Sequence, residues 1–395
     1  MLRPYLAVLR TPGVALPMLA GILGALPIGM LTVGILLFVR TETGSLTAAG
    51  AVAGAYGAGN AVGLALQGRL IDRHGQPVVL IPAGLICATS LVLLVFAASA
   101  NPVTEAVFAG AAGMALPATT TSMRALLPAL VADDRHRTTG YALLAVSFQL
   151  TMVLGPLVVS ALLAITGPGI AILCAAALAA IAGTVFASTG ASRTWRPAPR
   201  PAGRTPSSGL STLLVGATGT GFGAGLISVG IPAIALEHGS ASLAALLFAT
   251  ASIGDLAGGF GYGAHPSRRP KSSQLILALC CGSVAAVVIA MVSGWLVLLF
   301  AAILLAGAVG APAGISTSAL LDSVVPSDAI TRSYALLVCV GLLSGSGGSA
   351  AGGALADAAG GRSLFVIDGC CLAGAAAWTI ARRRTLRDGK LLTST

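Results

Sequence analysis

Twelve apolar stretches of about 20 residues or more recur along this chain, separated by short polar breaks. Each stretch is long enough to cross a hydrocarbon core of roughly 30 Å as an α-helix. Only 9% of the residues are charged, against roughly 25% in an average soluble domain, so lipid must solvate the chain. Because backbone groups in lipid must be paired within each segment, and barrel-type alternation is absent, we predict an all-α integral membrane protein. The predicted spans are 13–38, 45–66, 78–99, 103–127, 139–164, 168–189, 210–234, 241–263, 273–293, 295–320, 331–356 and 363–382.

One passage of the chain occurs twice. Tyr141-Ala-Leu-Leu returns as Tyr334-Ala-Leu-Leu, 193 residues later in a chain of 395. Gly59-Asn-Ala-Val-Gly63 likewise matches Gly254-Asp-Leu-Ala-Gly258, 195 residues on. Two echoes at nearly the same offset indicate an internal duplication. The twelve transmembrane helices are therefore predicted to form two pseudo-symmetric six-helix bundles.

The longest polar break separates these halves. It is basic, rich in proline and free of large aliphatic side chains, which is typical of a flexible linker. The other loops are short and leave no room for an added soluble domain. The predicted division is an N-terminal bundle at 1–189, a cytoplasmic linker at 190–209, a C-terminal bundle at 210–382 and a cytoplasmic tail at 383–395.

The positions of the basic residues test this arrangement of spans. If the N-terminus is cytoplasmic, all of the 22 Lys and Arg residues except Arg40 and Arg362 fall on the cytoplasmic side. The positive-inside rule requires such a bias. We therefore expect a multi-pass protein of the cell membrane with both termini in the cytoplasm, whose net charge of +10 contacts lipid headgroups. Nucleic-acid binding is not expected, because apolar spans divide the basic residues among separate loops.

Side chains that carry enzyme or metal chemistry are scarce. The four histidines fall in or beside loops without the spacing of metal ligands, and no pattern pairs a nucleophile with a base. No Gly-x-x-x-x-Gly-Lys-Ser/Thr phosphate loop is present, which excludes built-in ATP hydrolysis. We therefore expect neither an enzyme nor a bound metal or cofactor. The histidines are His74, His136, His238 and His265.

The loop between spans 2 and 3 carries a family pattern. Gly68-Arg-Leu-Ile-Asp72-Arg73-His-Gly75 has a glycine followed four residues later by Asp-Arg-x-Gly. In this loop of a twelve-span chain with two related halves, the pattern resembles motif A of the major facilitator superfamily. The resemblance implies a gating role, with Asp72 near the cytoplasmic start of span 11, where a carboxylate favours the positive end of a helix dipole.

This loop also departs from the family pattern. Gln76-Pro77 stands where the family usually has Arg or Lys, and Arg124 at the cytoplasmic end of span 4 is a candidate to replace them. An ordinary hydrophilic turn is the alternative explanation for Asp72 and Arg73.

Span 5 contains a second pattern of the same family. Gly155-Pro156 resembles the Gly-Pro core of motif C, which in this family is associated with exporters that exchange substrate for protons. The later glycine pair of that motif is replaced by Val158-Val-Ser160. A proline bends any helix by removing a backbone hydrogen bond, so a simple kink is the alternative.

The duplicated Gly-x-x-x-Gly segments predict close helix packing in spans 2 and 8. In the second copy, Asp255 replaces Asn60. Asp255 lies about nine residues from the cytoplasmic loop, or roughly 14 Å at 1.5 Å per residue. At that depth it is a candidate for proton coupling or cation recognition, and a hydrogen-bonded structural role is the alternative. Asp368 of span 12 is shallower, and we expect a structural or interfacial role for it.

The resemblance also implies which side chains face the substrate, because spans 1, 4, 7 and 10 line the central cavity in this family. Hydroxyl groups outnumber charges there, which suits a neutral, amphipathic or cationic organic solute. Each hydroxyl has an alternative, which is a hydrogen bond to a carbonyl of its own helix. With one residue of span 5, the cavity candidates are Met30, Thr32, Thr120, Gln149, Thr218, Thr220, Phe222 and Thr317.

These observations predict a secondary active transporter that exports drug-like or natural-product molecules in exchange for protons by alternating access. Its partners would be a small-molecule substrate, protons and membrane lipids, and we expect a monomer. A sugar or other nutrient permease is one alternative, and a transport-inactive membrane sensor or scaffold is another.

Overall fold

The computed structural model describes residues 8–96, 101–131, 133–196, 208–264, 269–325 and 329–386. Nearly all of this part of the chain is α-helix, and eleven of its helices are long and apolar enough to cross a membrane. The prediction of an all-α membrane protein is confirmed. Residues 197–207 of the predicted linker, residues 387–395 of the predicted tail and His265 lie outside the described residues.

Fourteen α-helices are described by their bounds. Before the segment 197–207 come α1 (Ala15–Thr43), α2 (Leu46–His74), α3 (Gln76–Phe96), α4 (Pro102–Met114), α5 (Thr119–Leu130), α6 (Asp134–Ile165), α7 (Pro168–Ser188) and the short α8 (Gly190–Thr194), which falls within the predicted linker. After it come α9 (Ser208–Glu237), α10 (Ala241–Ala264), α11 (Lys271–Val292), α12 (Leu296–Val324), α13 (Ile330–Ala359) and α14 (Gly361–Ala381), followed by a 3-10 turn at Arg383–Leu386.

The chain divides into two compact units. Unit 1 comprises Met1–Gly44 and Ala58–Pro199, and unit 2 comprises Ser45–Gly57 and Arg200–Thr395. Helix α2 is therefore shared, because its residues up to Gly57 belong to unit 2 and the remainder belong to unit 1.

Two helices end at glycines that have left-handed backbone angles. Gly44 has φ 71° and its N–H bonds the Arg40 carbonyl at 3.0 Å, which ends α1. Gly75 has φ 87° and its N–H bonds the Ile71 carbonyl at 2.8 Å, which ends α2. A side chain would strain either position, so glycine allows the chain to turn directly into the next helix.

Predicted span 4 is interrupted. Helix α4 ends at Met114 and α5 begins at Thr119, so this stretch forms two helices of 13 and 12 residues. Pro117 lies in the interruption, where it cannot donate a backbone hydrogen bond and disfavours helix at the preceding residue. Neither half is long enough to cross the hydrocarbon core alone. Eleven of the twelve predicted spans are therefore full-length helices in the described residues, and span 4 is the one that is divided.

The two units bury corresponding residues and pair corresponding helices. The core of unit 1 includes Leu80, Leu126 and Leu144. The core of unit 2 includes Leu275, Leu321 and Leu337, each 193 or 195 residues further along. Helix α1 packs against α6 and α7, and its counterpart α9 packs against α13 and α14. The predicted pseudo-symmetry is therefore confirmed in both the cores and the helix pairs.

Candidate functional site

A cavity of about 790 Å³ lies inside unit 2, among helices α9 to α14. Most of its walls are small apolar side chains. Two carboxylates, Asp255 of α10 and Asp368 of α14, line it as well. Within the described part of the chain, the lining includes no Lys, Arg or His. The cavity is therefore acidic, and its volume is typical of sites for drug-sized ligands.

Asp255 is positioned by a glycine crossing between α10 and α12. A Cβ built on Gly254 or on Gly258 would overlap a backbone carbonyl oxygen of α12, so the two backbones touch on both sides of Asp255. A Cβ on Gly310 of α12 would lie 3.6 Å from Asp255 Oδ1. The carboxylate therefore lies along bare backbone of α12, at the cavity wall.

The first copy of the glycine segment packs in the same way. A Cβ on Gly59 would overlap the carbonyl oxygen of Gly110, and a Cβ on Gly63 would overlap that of Met114, both in α4. Asn60 is half-buried beside this crossing. The prediction that both Gly-x-x-x-Gly segments allow close helix packing is confirmed.

Asp368 lines the same cavity from α14. Its side chain is 2% exposed, and its Oδ2 atom has no hydrogen-bond partner among the described residues. Gly223 of α9 makes room for it, because a Cβ there would overlap Asp368 Oδ1. The next carbonyl, of Gly369, accepts a 2.7 Å hydrogen bond from Ser283 Oγ of α11. The structural or interfacial role expected from the sequence did not anticipate this place on a cavity wall.

Three hydroxyl groups on the cavity wall donate to their own helices. Thr220 Oγ1 donates to the Gly216 carbonyl at 3.2 Å, and Thr317 Oγ1 donates to the Ala313 carbonyl at 2.9 Å. Ser318 Oγ makes the same kind of bond to its own helix at 3.0 Å. A hydroxyl that donates to backbone keeps only acceptor lone pairs for a ligand. Together with the two carboxylates, this wall therefore offers mainly hydrogen-bond acceptors.

The remaining cavity candidates lie elsewhere. Thr32 Oγ1 donates to the Ile28 carbonyl at 2.7 Å, and Thr218 Oγ1 donates to the Leu214 carbonyl at 3.1 Å. Met30 is 1% exposed on α1, whereas Thr120, Gln149 and Phe222 are half-buried on α5, α6 and α9. Of the eight predicted cavity residues, the structure thus brings Thr220 and Thr317 together with Asp255 in the unit 2 cavity.

The predicted gating loop forms the last turn of α2 and a one-residue link to α3. Asp72 is half-buried and Arg73 is exposed, while Gly75 is the link itself. No atom lies within 4 Å of a Cβ built on Gly68. Gln76, which departs from the family pattern, is fully buried, and its Nε2 donates to the Ser122 carbonyl of α5 at 3.2 Å. A neutral amide fits this enclosed position, where a charged side chain would need a partner.

Gln67 holds the interruption of span 4, a role that sequence reasoning missed. Its Nε2 donates to the carbonyls of Met114 and Leu116 at 3.0 and 2.9 Å, and its Oε1 accepts from the Ala118 N–H at 3.1 Å. These bonds satisfy backbone groups that the broken helix leaves unpaired. The one available signal was an amide side chain inside an apolar span, directly before Gly68.

Arg124 interacts with the start of the repeated passage. Its guanidinium lies over the ring of Tyr141, 5.4 Å from the ring centroid. Tyr334, the counterpart of Tyr141 in the second half, lines the unit 2 cavity. Arg124 is therefore engaged in a cation–π contact inside unit 1.

Gly155 and Pro156 form a crossing between α6 and α1. A Cβ on Gly155 would lie 2.7 Å from the carbonyl carbon of Gly29. A Cβ on Gly29 would lie 2.8 Å from the Thr151 carbonyl oxygen and 3.4 Å from Pro156 Cδ. Helix α6 continues through the proline to Ile165. The Gly-Pro pattern thus marks a close helix contact, in addition to the loss of one backbone hydrogen bond at the proline.

Two further acidic residues were missed. Asp357 at the end of α13 accepts hydrogen bonds from Ser45 Oγ at 3.1 Å, from the Leu46 N–H at 3.2 Å, and from the N–H and Oγ1 of Thr47, each at 2.8 Å. It caps the start of α2 within unit 2. Glu105 in the first turn of α4 is fully buried. Linear spacing could not reveal the Asp357 cap, because its partners lie more than 300 residues away.

Comparison with known proteins agrees with the family resemblance read from the sequence. A sequence model described as Major Facilitator Superfamily matches residues 17–217. No curated protein matches the chain in sequence. Solved structures resemble the chain at low sequence identity. Such a likeness indicates a shared fold and does not identify the substrate.

Three of these structures cover almost the whole chain. A bacterial homologue of the human lysosomal transporter Spinster, in an inward-facing and unoccupied conformation, has a TM-score of 0.72 at 16% identity, covering 95% of this chain and 97% of its own. The nucleoside transporter NupG gives 0.72 at 14% identity, with 93% and 99% covered. A D-xylose–proton symporter gives 0.72 at 16%, with 92% and 96% covered.

Proposed function

The chain belongs to the major facilitator superfamily and is a multi-pass membrane transporter, and from that premise we propose that it exports drug-like or natural-product molecules in exchange for protons. The observation that carries this proposal is the unit 2 cavity, whose wide apolar walls bear two carboxylates and no basic side chain among the described residues. Such a site attracts amphipathic molecules, and cationic ones most strongly.

A sugar or nutrient permease is the competing proposal. A polyol needs donors and acceptors around its whole surface, because each polar group buried without a partner is unfavourable. The described lining contains no Asn, Gln, Lys or Arg, and its Thr and Ser hydroxyls donate to their own helices. The cavity therefore favours the amphipathic solute over the polyol.

In the proposed mechanism, Asp255 carries the coupling proton. A charged carboxylate deep within a membrane span is unfavourable, so at this mostly apolar cavity wall Asp255 is suited to take up a proton or a cation. Asp72 and Arg73, with Gly68 and Gly75, would act in gating at the cytoplasmic side, and Gly155-Pro156 would hold span 5 on span 1 during the cycle. We place the transporter in the cell membrane as a monomer, with both termini in the cytoplasm.

The proposal is tested in an efflux-deficient host that expresses the wild type, Asp255→Asn or Asp322→Asn. Asp322 is an exposed acid at the end of α12 and serves as the matched control. We expect the wild type and the control to lower drug accumulation, and Asp255→Asn to lose that effect at equal expression. Proton-dependent export that persists unchanged in Asp255→Asn would refute the coupling role.

Direction is tested with purified protein in liposomes under an imposed proton gradient. Export predicts that a lipophilic drug moves against the proton flux, whereas a permease would move labelled sugar with it. Absence of both substrate and proton movement would favour the sensor or scaffold alternative.

A further inference from the structure

Asp368 is an acidic residue of unit 2 whose surroundings the proposed export does not explain. Its side chain is 98% shielded from solvent, and Oδ2 lacks a hydrogen-bond partner among the described residues. An ionised carboxylate without a partner is strongly unfavourable in an apolar bundle. A proton or a cation must therefore accompany it.

The packing around Asp368 makes room for the carboxylate but does not give Oδ2 a hydrogen-bond partner among the described residues. Gly223 of α9 gives the carboxylate its room, since any Cβ there would overlap Oδ1. Ser283 Oγ, the nearby hydroxyl of α11, is already bonded to the Gly369 carbonyl at 2.7 Å. Helices α9 and α11 thus pack around the carboxylate at the cavity wall, and among the described residues neither supplies a donor to Oδ2.

The cavity fits an organic cation better than a metal ion. Calcium and magnesium take about six or more oxygen ligands, whereas this wall offers two carboxylates among mostly apolar side chains. Among the described residues, no three His, Cys, Asp or Glu side chains are grouped closely enough to hold a metal. The 790 Å³ volume and the acceptor-only hydroxyls suit a bulky apolar molecule with one positive charge.

We propose that the unit 2 cavity binds lipophilic monovalent organic cations and that Asp368 is the anionic group that receives the cationic centre, releasing a proton as it does so. In the empty site the Asp368 carboxyl holds its proton and is neutral. When the cation enters, the O–H bond breaks, the proton passes to solvent, and the carboxylate pairs with the cation. The site has the same net charge before and after.

Other titratable groups at this cavity are few. Asp255 of α10 and Tyr334 of α13 line it, and Cys371 lies one turn further along α14. Helices α9 and α11 contribute glycines, hydroxyls and apolar side chains to the lining. The inference rests on the proposed function in one respect, since both assign cationic amphipathic ligands to this cavity. Exchange at Asp368 needs no transport step, so binding and export are tested separately.

The test uses the purified full chain in nanodiscs with tetraphenylphosphonium as the probe. Equilibrium dialysis measures binding of the cation, and a pH dye in weakly buffered solution measures proton release. We expect the wild type to release protons in proportion to the cation bound. Asp368→Asn should weaken binding roughly tenfold or more and lose most of the release, because the amide carries neither the charge nor the proton.

A second variant keeps the test independent of the folding of Asp368→Asn. Gly223→Ala should weaken binding in the same direction, because the new methyl group displaces the carboxylate. Gly219→Ala, one turn earlier on α9, is the matched control, since its Cβ would make an ordinary 3.5 Å contact with Ala375. We expect it to bind and release protons like the wild type.

The outcomes separate this inference from the proposed function. Wild-type protein that does not bind the probe, or Asp368→Asn that binds it and releases protons normally, would overturn the Asp368 site while leaving drug export intact. Retained proton release in Asp255→Asn would support Asp368 as the source. A third outcome is that the protein binds the probe, that only Asp368→Asn loses proton release, and that no drug moves in liposomes. This outcome would support the Asp368 site and refute the efflux proposal.

Discussion

In unit 1, Gly59 and Gly63 bring α2 onto the backbone of α4, and in unit 2, Gly254 and Gly258 bring α10 onto the backbone of α12. The residue after the first glycine is Asn60 in one crossing and Asp255 in the other. The two halves thus share the contact, while the side chain beside it is neutral in one half and acidic in the other. Close packing is common to both halves, and we expect the chemistry to lie where one half departs from the other.

The crossing of spans 1 and 5 in unit 1 and the crossing of spans 7 and 11 in unit 2 also share a glycine contact and differ in the next residue. Gly155 packs on Gly29 in unit 1, and Gly348, 193 residues later, packs on Phe222 and Gly225 in unit 2. Pro156 follows the first glycine. Ser349 follows the second, and its hydroxyl lies 2.8 Å from Ser228 Oγ of α9. The second crossing is therefore joined by a hydrogen bond where the first has a proline.

The largest effect is expected from giving unit 1 the charge of unit 2. Asn60→Asp should lower the free energy of unfolding by about 3 kcal/mol, the cost of a charge at membrane depth. Asp255→Asn should leave stability unchanged or raise it. Thermal unfolding in detergent compares the two, and the loss in Asn60→Asp should shrink at low pH as the carboxyl takes up a proton. Equal losses in both variants would contradict a difference in chemistry between the crossings.

Next come the glycines themselves. Gly63→Ala and Gly258→Ala should each destabilise their units by about 2–3 kcal/mol, because the added Cβ meets a backbone carbonyl that cannot move aside. Gly261→Ala on α10 is the control, since no atom lies within 4 Å of its Cβ. The same unfolding measurement applies. A large loss in only one of the two units would show that the crossings are not equivalent.

A smaller effect is expected where span 4 is broken and span 10 is not. Gln67→Ala should destabilise unit 1 by about 2 kcal/mol, because it leaves buried backbone groups at Met114, Leu116 and Ala118 unpaired. The corresponding position in unit 2 is Tyr262, which bonds Gln274 beside the continuous helix α12. Tyr262→Phe should cost less, and hydrogen exchange at residues 114–118 should rise only in the Gln67 variant. Unchanged exchange there would remove the clamp role.

The smallest effect is expected at the start of α2. Asp357→Asn should destabilise by about 1 kcal/mol or less, since the amide keeps one acceptor for the N–H groups of Leu46 and Thr47. Position 164, 193 residues earlier in the repeat, is an alanine, so unit 1 has no counterpart there. Hydrogen exchange at residues 46–50 should increase in Asp357→Asn and stay unchanged in Asp322→Asn. Equal exchange in both would mean that the cap does not hold the helix start.

Hydropathy and the repeat could predict the helices and their pairing, because both depend on local composition and fixed offsets. The break in span 4 could not be predicted in this way. Pro27, Pro156, Pro232 and Pro312 all lie inside continuous helices, whereas Pro117 lies in the interruption. What distinguishes Pro117 is the Gln67 side chain, which reaches the broken backbone from another helix.

The candidate site was partly within reach of sequence reasoning. Asp255 stood out by its depth and by the contrast with Asn60. Asp368 did not, because its environment depends on Gly223, a residue 145 positions earlier whose missing side chain makes the room. The proposed contact of Asp72 with span 11 stays a prediction.

Some crossings place glycine directly on glycine, as at Gly29 and Gly155 and at Gly50 and Gly353. At such a pair neither glycine can be substituted alone, because any side chain on one residue would meet the backbone at the crossing. The surrounding alanines, leucines and valines can exchange among themselves as the sequence diverges. We therefore expect distant relatives of this chain to keep these pairs small long after their substrates and most of their apolar residues have changed.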